Sequence, residues 1–242
     1  MKVSEAVART LAGSKVNVAT YVPALGASQL FSDYCRRTGQ TIPLSFHEEV
    51  AYTLAYGAAL FGKRSVTFMK THGVMKAANS LSDSLYSGTT AGFITMVVDD
   101  ALGIQSDSIV DTAAFLKGLG IHYYRGKPET IDRDVAGALN YSEKHQLPVG
   151  LVIDASEINT EVPKPSTQCV QYLPPCYRRD TSLHMMVPAL LDYQHRVLRA
   201  KANNCNWRKI AKPDLDIISH SLPEHWKPSI KAYTLLFRRF QD

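Results

Sequence analysis

The sequence predicts a three-layer αβα domain, a parallel sheet covered by helices on both faces, with a mainly helical C-terminal extension. Three observations carry this. Apolar, β-branched runs of strand length alternate with amphipathic helical patterns up to about residue 155, the signature of strand–helix–strand units. The strand runs are mostly apolar and rich in β-branched residues, as in a parallel sheet covered on both faces. Composition then shifts: residues 1–159 carry 14 Lys and Arg against 15 Asp and Glu, while residues 160–242 carry 13 against 7 and open on a Pro-containing linker, VPKPSTQCVQYLPPC. The domain is therefore bounded at 1–159 and the linker and extension at 160–242.

In chain order, KVNVATYV (15–22) predicts the first strand, and residues 27–37 a helix. IPLSF (42–46) is the second strand, feeding a helix over 48–61 whose pattern is Val50, Leu54, Gly57, Ala58 and Phe61. SVTFM (65–69) is the third strand, followed by the turn Lys70-Thr71-His72-Gly73 and a helix over 74–86. FITMVVDD (93–100) is the most strand-like run. A helix over 107–119, a short strand IHYY (121–124), a helix over 131–145 and a last strand PVGLVID (148–154) complete the domain. In the extension, Leu183, Val187, Leu190, Leu191, Val197 and Leu198 recur at helical spacing. The final segment places Trp226, Ile230, Tyr233, Leu236, Phe237 and Phe240 on one basic amphipathic face, which suits packing on the domain, docking of a partner, or an anionic membrane surface.

With 242 residues, 45% hydrophobic and 20% charged, the chain reads as a soluble globular protein expected in the cytoplasm. No apolar run approaches the roughly 18 residues that span a bilayer, and membrane association is not expected. Cys35, Cys169, Cys176 and Cys205 show neither CxxC pairing nor zinc spacing and read as free thiols. No nucleic-acid-binding motif accompanies the basic tail, so nucleic acid is not an expected partner.

Ligands of parallel α/β sheets collect at the carboxyl ends of the strands. There the sequence places Tyr21-Val22-Pro23-Ala24-Leu25-Gly26, then His47-Glu48-Glu49, Lys70-Thr71-His72-Gly73 and Asp99-Asp100-Ala101-Leu102-Gly103. Carboxylates in the first turn of a helix are ordinarily explained by the helix dipole. Asp107 reads first as a helix cap. The GxGxxG, GxxxxGK[ST] and GxSxG signatures are all absent, which argues against the usual dinucleotide site, a phosphate loop and an α/β-hydrolase.

The ordered segments YVPALGASQLF and HEEVAYTLAYGAALFGKRSVTFMKTHGVMKAANSLSDSLYSGTTAGFITMVVDDALGIQSDSIVDT resemble the pyrimidine-binding domain of thiamine-diphosphate enzymes. The α chain of indolepyruvate ferredoxin oxidoreductase and the sulfopyruvate and phosphonopyruvate decarboxylases are the similar branches, over residues 1–155. The resemblance implies that Glu48 binds N1′ of the cofactor's aminopyrimidine. A carboxyl there favours the imino tautomer, the form able to take the proton from C2 of the thiazolium. This requires burial that disfavours the charged carboxylate. By the same resemblance Tyr21, Pro23, Thr71, Gly73 and Asn79 line the cofactor or substrate pocket. His72 departs from the family pattern; it is a candidate proton relay or substrate-carboxylate ligand, or simply a loop histidine.

In the resembling enzymes the diphosphate is held through Mg²⁺ by a separate domain carrying Gly-Asp-Gly and a later Asn. This sequence contains no Gly-Asp dipeptide among its 14 glycines. A partner subunit is therefore expected to hold Mg²⁺ and the diphosphate, with thiamine diphosphate shared between the chains in an α₂β₂ heterotetramer. The implied function is the pyrimidine-binding half of a two-chain lyase acting on a 2-oxo acid, by decarboxylation or carboligation. A ferredoxin-linked 2-oxo acid oxidoreductase subunit is the alternative, since the scattered cysteines do not suit iron–sulfur ligation in this chain. A non-catalytic protein retaining the fold is a third.

Overall fold

The computed structural model describes residues 1–41, 45, 47–163, 170–171, 175–178, 180–184 and 188–214. Among the described residues, five strands, β1 (Val18–Tyr21), β2 (Ser65–Lys70), β3 (Phe93–Asp99), β4 (Tyr123–Arg125) and β5 (Val149–Asp154), form one sheet in the order β1-β2-β3-β5-β4. All pairings are parallel, with Thr67 opposite both Thr20 and Thr95, and Val97 opposite Val152. β3 is buried along its whole length, as its unbroken apolar run requires. The strand expected over 42–46 lies, except for Ser45, outside the described residues.

Helices cover both faces. α1 (Val3–Gly13), α2 (Ala27–Thr38) and α7 (Ile131–His145) pack on one face through Leu11, Leu30, Tyr34, Val135 and Leu139. α3 (Glu48–Leu60), α4 (Thr71–Lys76), α5 (Ala78–Ser87) and α6 (Thr112–Gly118) pack on the other through Tyr52, Val74, Leu81, Leu85 and Leu116. Phe68 and Phe93 are wholly buried, and side chains of this size each contribute roughly 1.5–3 kcal/mol on burial.

The expected helix over 74–86 is two helices, with Ala77 between them at φ −89°, ψ 7°. Helical geometry also begins earlier than expected, at Thr71, so the presumed polar turn after β2 is the first turn of α4. The helix expected from residue 107 begins at Thr112 instead. Its cap is Asp111, whose Oδ1 accepts from the Ala114 amide at 2.9 Å, and Asp107 is exposed.

Arg64, just before β2, has a fully buried side chain. Its guanidinium donates from Nε and Nη2 to both oxygens of Glu143 on α7, at 2.6 and 2.7 Å. It also donates to the carbonyls of Ser14, Val170 and Gln171. One fork thus ties the end of α1, the sheet, α7 and the chain beyond β5 together.

In the extension, α8 (Thr181–His184) and α9 (Pro188–Ala202) pack against α5, with Leu183, Leu190 and Val197 buried and Leu198 reaching the second core. Val187 and the aromatic face from Trp226 to Phe240 lie outside the described residues. Among the described residues no helix is long and apolar enough to cross a membrane.

Candidate functional site at the carboxyl rim of the sheet

The residues at the carboxyl ends of β1, β2 and β3 converge on one rim. Glu48 opens α3 after His47, whose backbone is extended (φ −137°, ψ 124°). Its side chain is only 14% exposed, and Oε1 lies 3.5 Å from Lys76 Nζ on α4. Gly73 makes this seat possible. A Cβ added there would fall 2.9 Å from Glu48 Cγ and 3.2 Å from Met69 Cβ, so only a glycine lets α4 pass this close to the carboxylate. Glu49, one residue on, accepts from Ser80 Oγ at 2.7 Å and ties α3 to α5.

Tyr21 is stacked on Phe31 with ring centroids 3.8 Å apart, and Pro23 is exposed in the turn that follows. Gly26, the N-cap of α2, has φ +69° and lies so close to Val98 and Ile158 that a side chain would clash with both. His72 Nε2 faces Ser108 Oγ at 2.9 Å, while Nδ1 is buried and without a hydrogen-bond partner among the described residues. Thr71 is buried, its Oγ1 2.7 Å from Thr112 Oγ1. Asn79 is exposed on the first turn of α5.

The rim segment from Asp99 shapes the loop between β3 and α6. Asp99 accepts from Thr112 Oγ1 at 2.8 Å and lies 3.5 Å from the Arg125 guanidinium. Asp100 accepts from Ser106 Oγ at 2.6 Å and from the Gln105 and Ile104 amides, both at 2.9 Å. The Ser106 hydroxyl first, then the Gln105 amide, hold its carboxyl below the usual carboxylate range. Lys70 Nζ donates to the Gln105 carbonyl at 2.7 Å. The Asp-Asp pair at the strand end is the sequence signal for this anchored loop. Lys76 carries no such signal, because its role depends on α4 starting at Thr71.

Together these groups provide a partly shielded carboxylate, a glycine cradle against it and a histidine with an unpartnered buried nitrogen. Such a set can bind and share a proton with a flat heterocycle. Among the described residues there is no grouping of three or more His, Cys, Asp or Glu that could hold a metal ion.

No family model matches the sequence. The chain is 27% identical over 207 residues to indolepyruvate oxidoreductase subunit IorA of Methanothermobacter thermautotrophicus, covering 81% of this chain and 32% of the relative. It is 31% identical over 117 residues to the subunit of the same name from Thermococcus kodakarensis, covering 47% of this chain and 18% of that one. The chain thus spans a third or less of the length of these curated relatives. Among solved structures, the 2-oxoglutarate:ferredoxin oxidoreductase of Magnetococcus marinus superposes with a TM-score of 0.63 at 17% identity, over 84% of this chain and 44% of that one. The thiamine diphosphate-dependent 4-hydroxybenzoylformate decarboxylase of Rhodococcus jostii gives 0.56 at 18%, over 69% and 32%. These similarities support the resemblance to the pyrimidine-type domain of thiamine-diphosphate enzymes, and the fold is one those enzymes share. The expected αβα architecture and the resemblance to thiamine-diphosphate enzymes both stand.

The residues present fit the pyrimidine half of that cofactor. The Gly73 cradle holds Glu48 at the rim, and the buried Nδ1 of His72 has no hydrogen-bond partner among the described residues.

Proposed function

We propose that this chain is the pyrimidine-binding subunit of a two-chain thiamine-diphosphate enzyme acting on a 2-oxo acid. The single observation that carries this is Glu48, seated against Gly73 at the carboxyl rim of a pyrimidine-type domain. Glu48 holds the proton shared with N1′ of the aminopyrimidine; Tyr21, Pro23, Thr71, Gly73 and Asn79 shape the surrounding rim, and His72 positions a proton near the substrate. When bound, thiamine diphosphate supplies the carbon nucleophile and the electron sink for cleavage beside the 2-oxo group. The chain's own contribution is to orient the pyrimidine and exclude water from Glu48, which demands a roof over the rim.

A partner subunit supplies that roof together with Mg²⁺ and the diphosphate site, in an α₂β₂ assembly. In support, large apolar side chains stand exposed around the rim: Val50 and Leu54 on α3, Met75 on α4, and Leu102, Ile104 and Ile109 on the loop before α6. Exposed apolar clusters of this kind mark protein interfaces.

Decarboxylation or carboligation remains one reading of the later steps. The names of the curated relatives, oxidoreductase subunits, favour a second, in which a partner passes electrons to an acceptor. Assaying the assembled complex for product with and without a low-potential electron acceptor separates them. Acceptor-independent turnover marks a lyase, and acceptor reduction matched to turnover marks an oxidoreductase.

Glu48→Gln tests the core of the proposal. It keeps the shape and removes the shared proton, so C2 hydrogen–deuterium exchange in the assembled complex should slow by about 10²-fold or more. Wild-type exchange rates in the variant would remove Glu48 from the mechanism.

A further inference from the structure

A cavity of substantial volume lies away from the rim. It lies at the opposite end of the sheet, where the chain enters β3 and β5, and is closed by the C-terminal extension. Its volume is about 720 Å³. Ser87, Thr89 and Thr90 line it from the segment before β3, and Gln146 from the turn before β5. The extension contributes four cationic side chains, Arg178, Lys201, Arg208 and Lys212, against a single carboxylate, Asp180. Lys212 already neutralises that carboxylate, at 2.6 Å.

Two buried groups in this cavity lack the partners their chemistry requires. Lys201 is 5% exposed. Its ammonium rests in the space left by Gly88 and reaches the Gln146 carbonyl at 3.4 Å. It lies 5.0 Å from the Trp207 ring centroid, and among the described residues it has no carboxylate partner. Burial pushes its pKa down to about 8, with the nearby Arg208 adding to the shift. Thr89 is likewise 5% exposed, and its Oγ1 is buried with no hydrogen-bond partner among the described residues. A buried ammonium without a counter-ion and a buried hydroxyl without a partner are each unfavourable. Both are relieved by one anion with several acceptor oxygens.

We propose that this cavity binds the phosphate group of a small phosphorylated metabolite, with Lys201 and Thr89 as its buried anchors and Arg178 and Arg208 as its outer cations. A phosphate monoester matches this set. Its oxygens accept from ammonium, hydroxyl and guanidinium donors at once, and its charge offsets the cations that Asp180 leaves unmatched. The cavity is far larger than phosphate itself, and Leu183 and Trp207 supply apolar wall for an organic body. The site is remote from Glu48 and does not depend on the cofactor reading.

The test uses the full chain and inorganic phosphate as probe. Calorimetric titration should show saturable binding, and phosphate should raise the melting temperature above that in chloride of equal ionic strength. Lys201→Met and Thr89→Val should each weaken binding about tenfold or more, the loss of one charge-assisted or buried hydrogen bond. Lys201→Met should melt no lower than wild type without phosphate, because it removes a buried charge, yet lose the phosphate-dependent rise. Glu48→Gln should bind phosphate like wild type. Non-saturable binding, or equal phosphate effects in wild type and both variants, would overturn the proposal.

Discussion

Glu48 and Gly73 are coupled by a distance. The 2.9 Å between a hypothetical Cβ at residue 73 and Glu48 Cγ means that Gly73→Ala must push the carboxylate aside. Alanine is the better helix former by about 1 kcal/mol, so the variant should unfold no more easily than wild type by more than about that amount. C2 exchange in the assembled complex should nevertheless fall about tenfold to a hundredfold, as for a catalytic group displaced by an ångström. Unchanged exchange would mean that the rim accommodates the methyl group and that the cradle has no functional role. At this scale Glu48 was legible as a carboxylate opening a helix, which is where α3 begins. Lys76 and Arg125, which contact Glu48 and Asp99, were not. Their partners are 28 and 26 positions away, and nothing local marks the pairing.

The elements show where periodicity informs and where it misleads. In α3 the pattern Val50, Leu54, Phe61 reads as an inward face, yet these residues are 48%, 60% and 70% exposed. The buried side is Tyr52 with Ala51, Ala55 and Ala59, three small residues that let the helix lie close on β1 and β2. A helix apolar all round gives no sequence signal for which face meets the core. Leu54→Asp should therefore leave the isolated chain's unfolding within about 0.5 kcal/mol while weakening assembly with the partner in co-purification or sedimentation. Unimpaired assembly would place the interface elsewhere.

α1 carries a helical period in Val3, Ala6, Val7, Thr10 and Leu11, all buried, yet it was not among the expected elements, because its polarity alternates too evenly to stand out. The Arg64–Glu143 fork was invisible in sequence for another reason: a charged residue before a strand ordinarily reads as surface. Glu143→Ala leaves a buried guanidinium without its carboxylate. Urea unfolding should show a loss of about 3–5 kcal/mol. A loss below about 1 kcal/mol would mean that water or the three carbonyls around Arg64 suffice.

Across the whole molecule, the αβα layering followed from the alternation of apolar runs and amphipathic helices, because a parallel sheet buried on both faces writes that pattern directly into the chain. The cavity at the opposite end was not legible. It is assembled from Thr89, Gln146 and Lys201, which come together only when α9 folds back along α5. In the proposed function the rim takes the pyrimidine half of thiamine diphosphate, and a partner covers the apolar side chains exposed around it.

Division of the cofactor between two chains is the central claim, and calorimetric titration of thiamine diphosphate with Mg²⁺ tests it most directly. The purified chain, alone and as Lys201→Met to exclude the second cavity, should show no tight binding. Addition of a partner carrying Gly-Asp-Gly and the following Asn should produce it. Micromolar binding by the Lys201→Met chain alone would contradict the account.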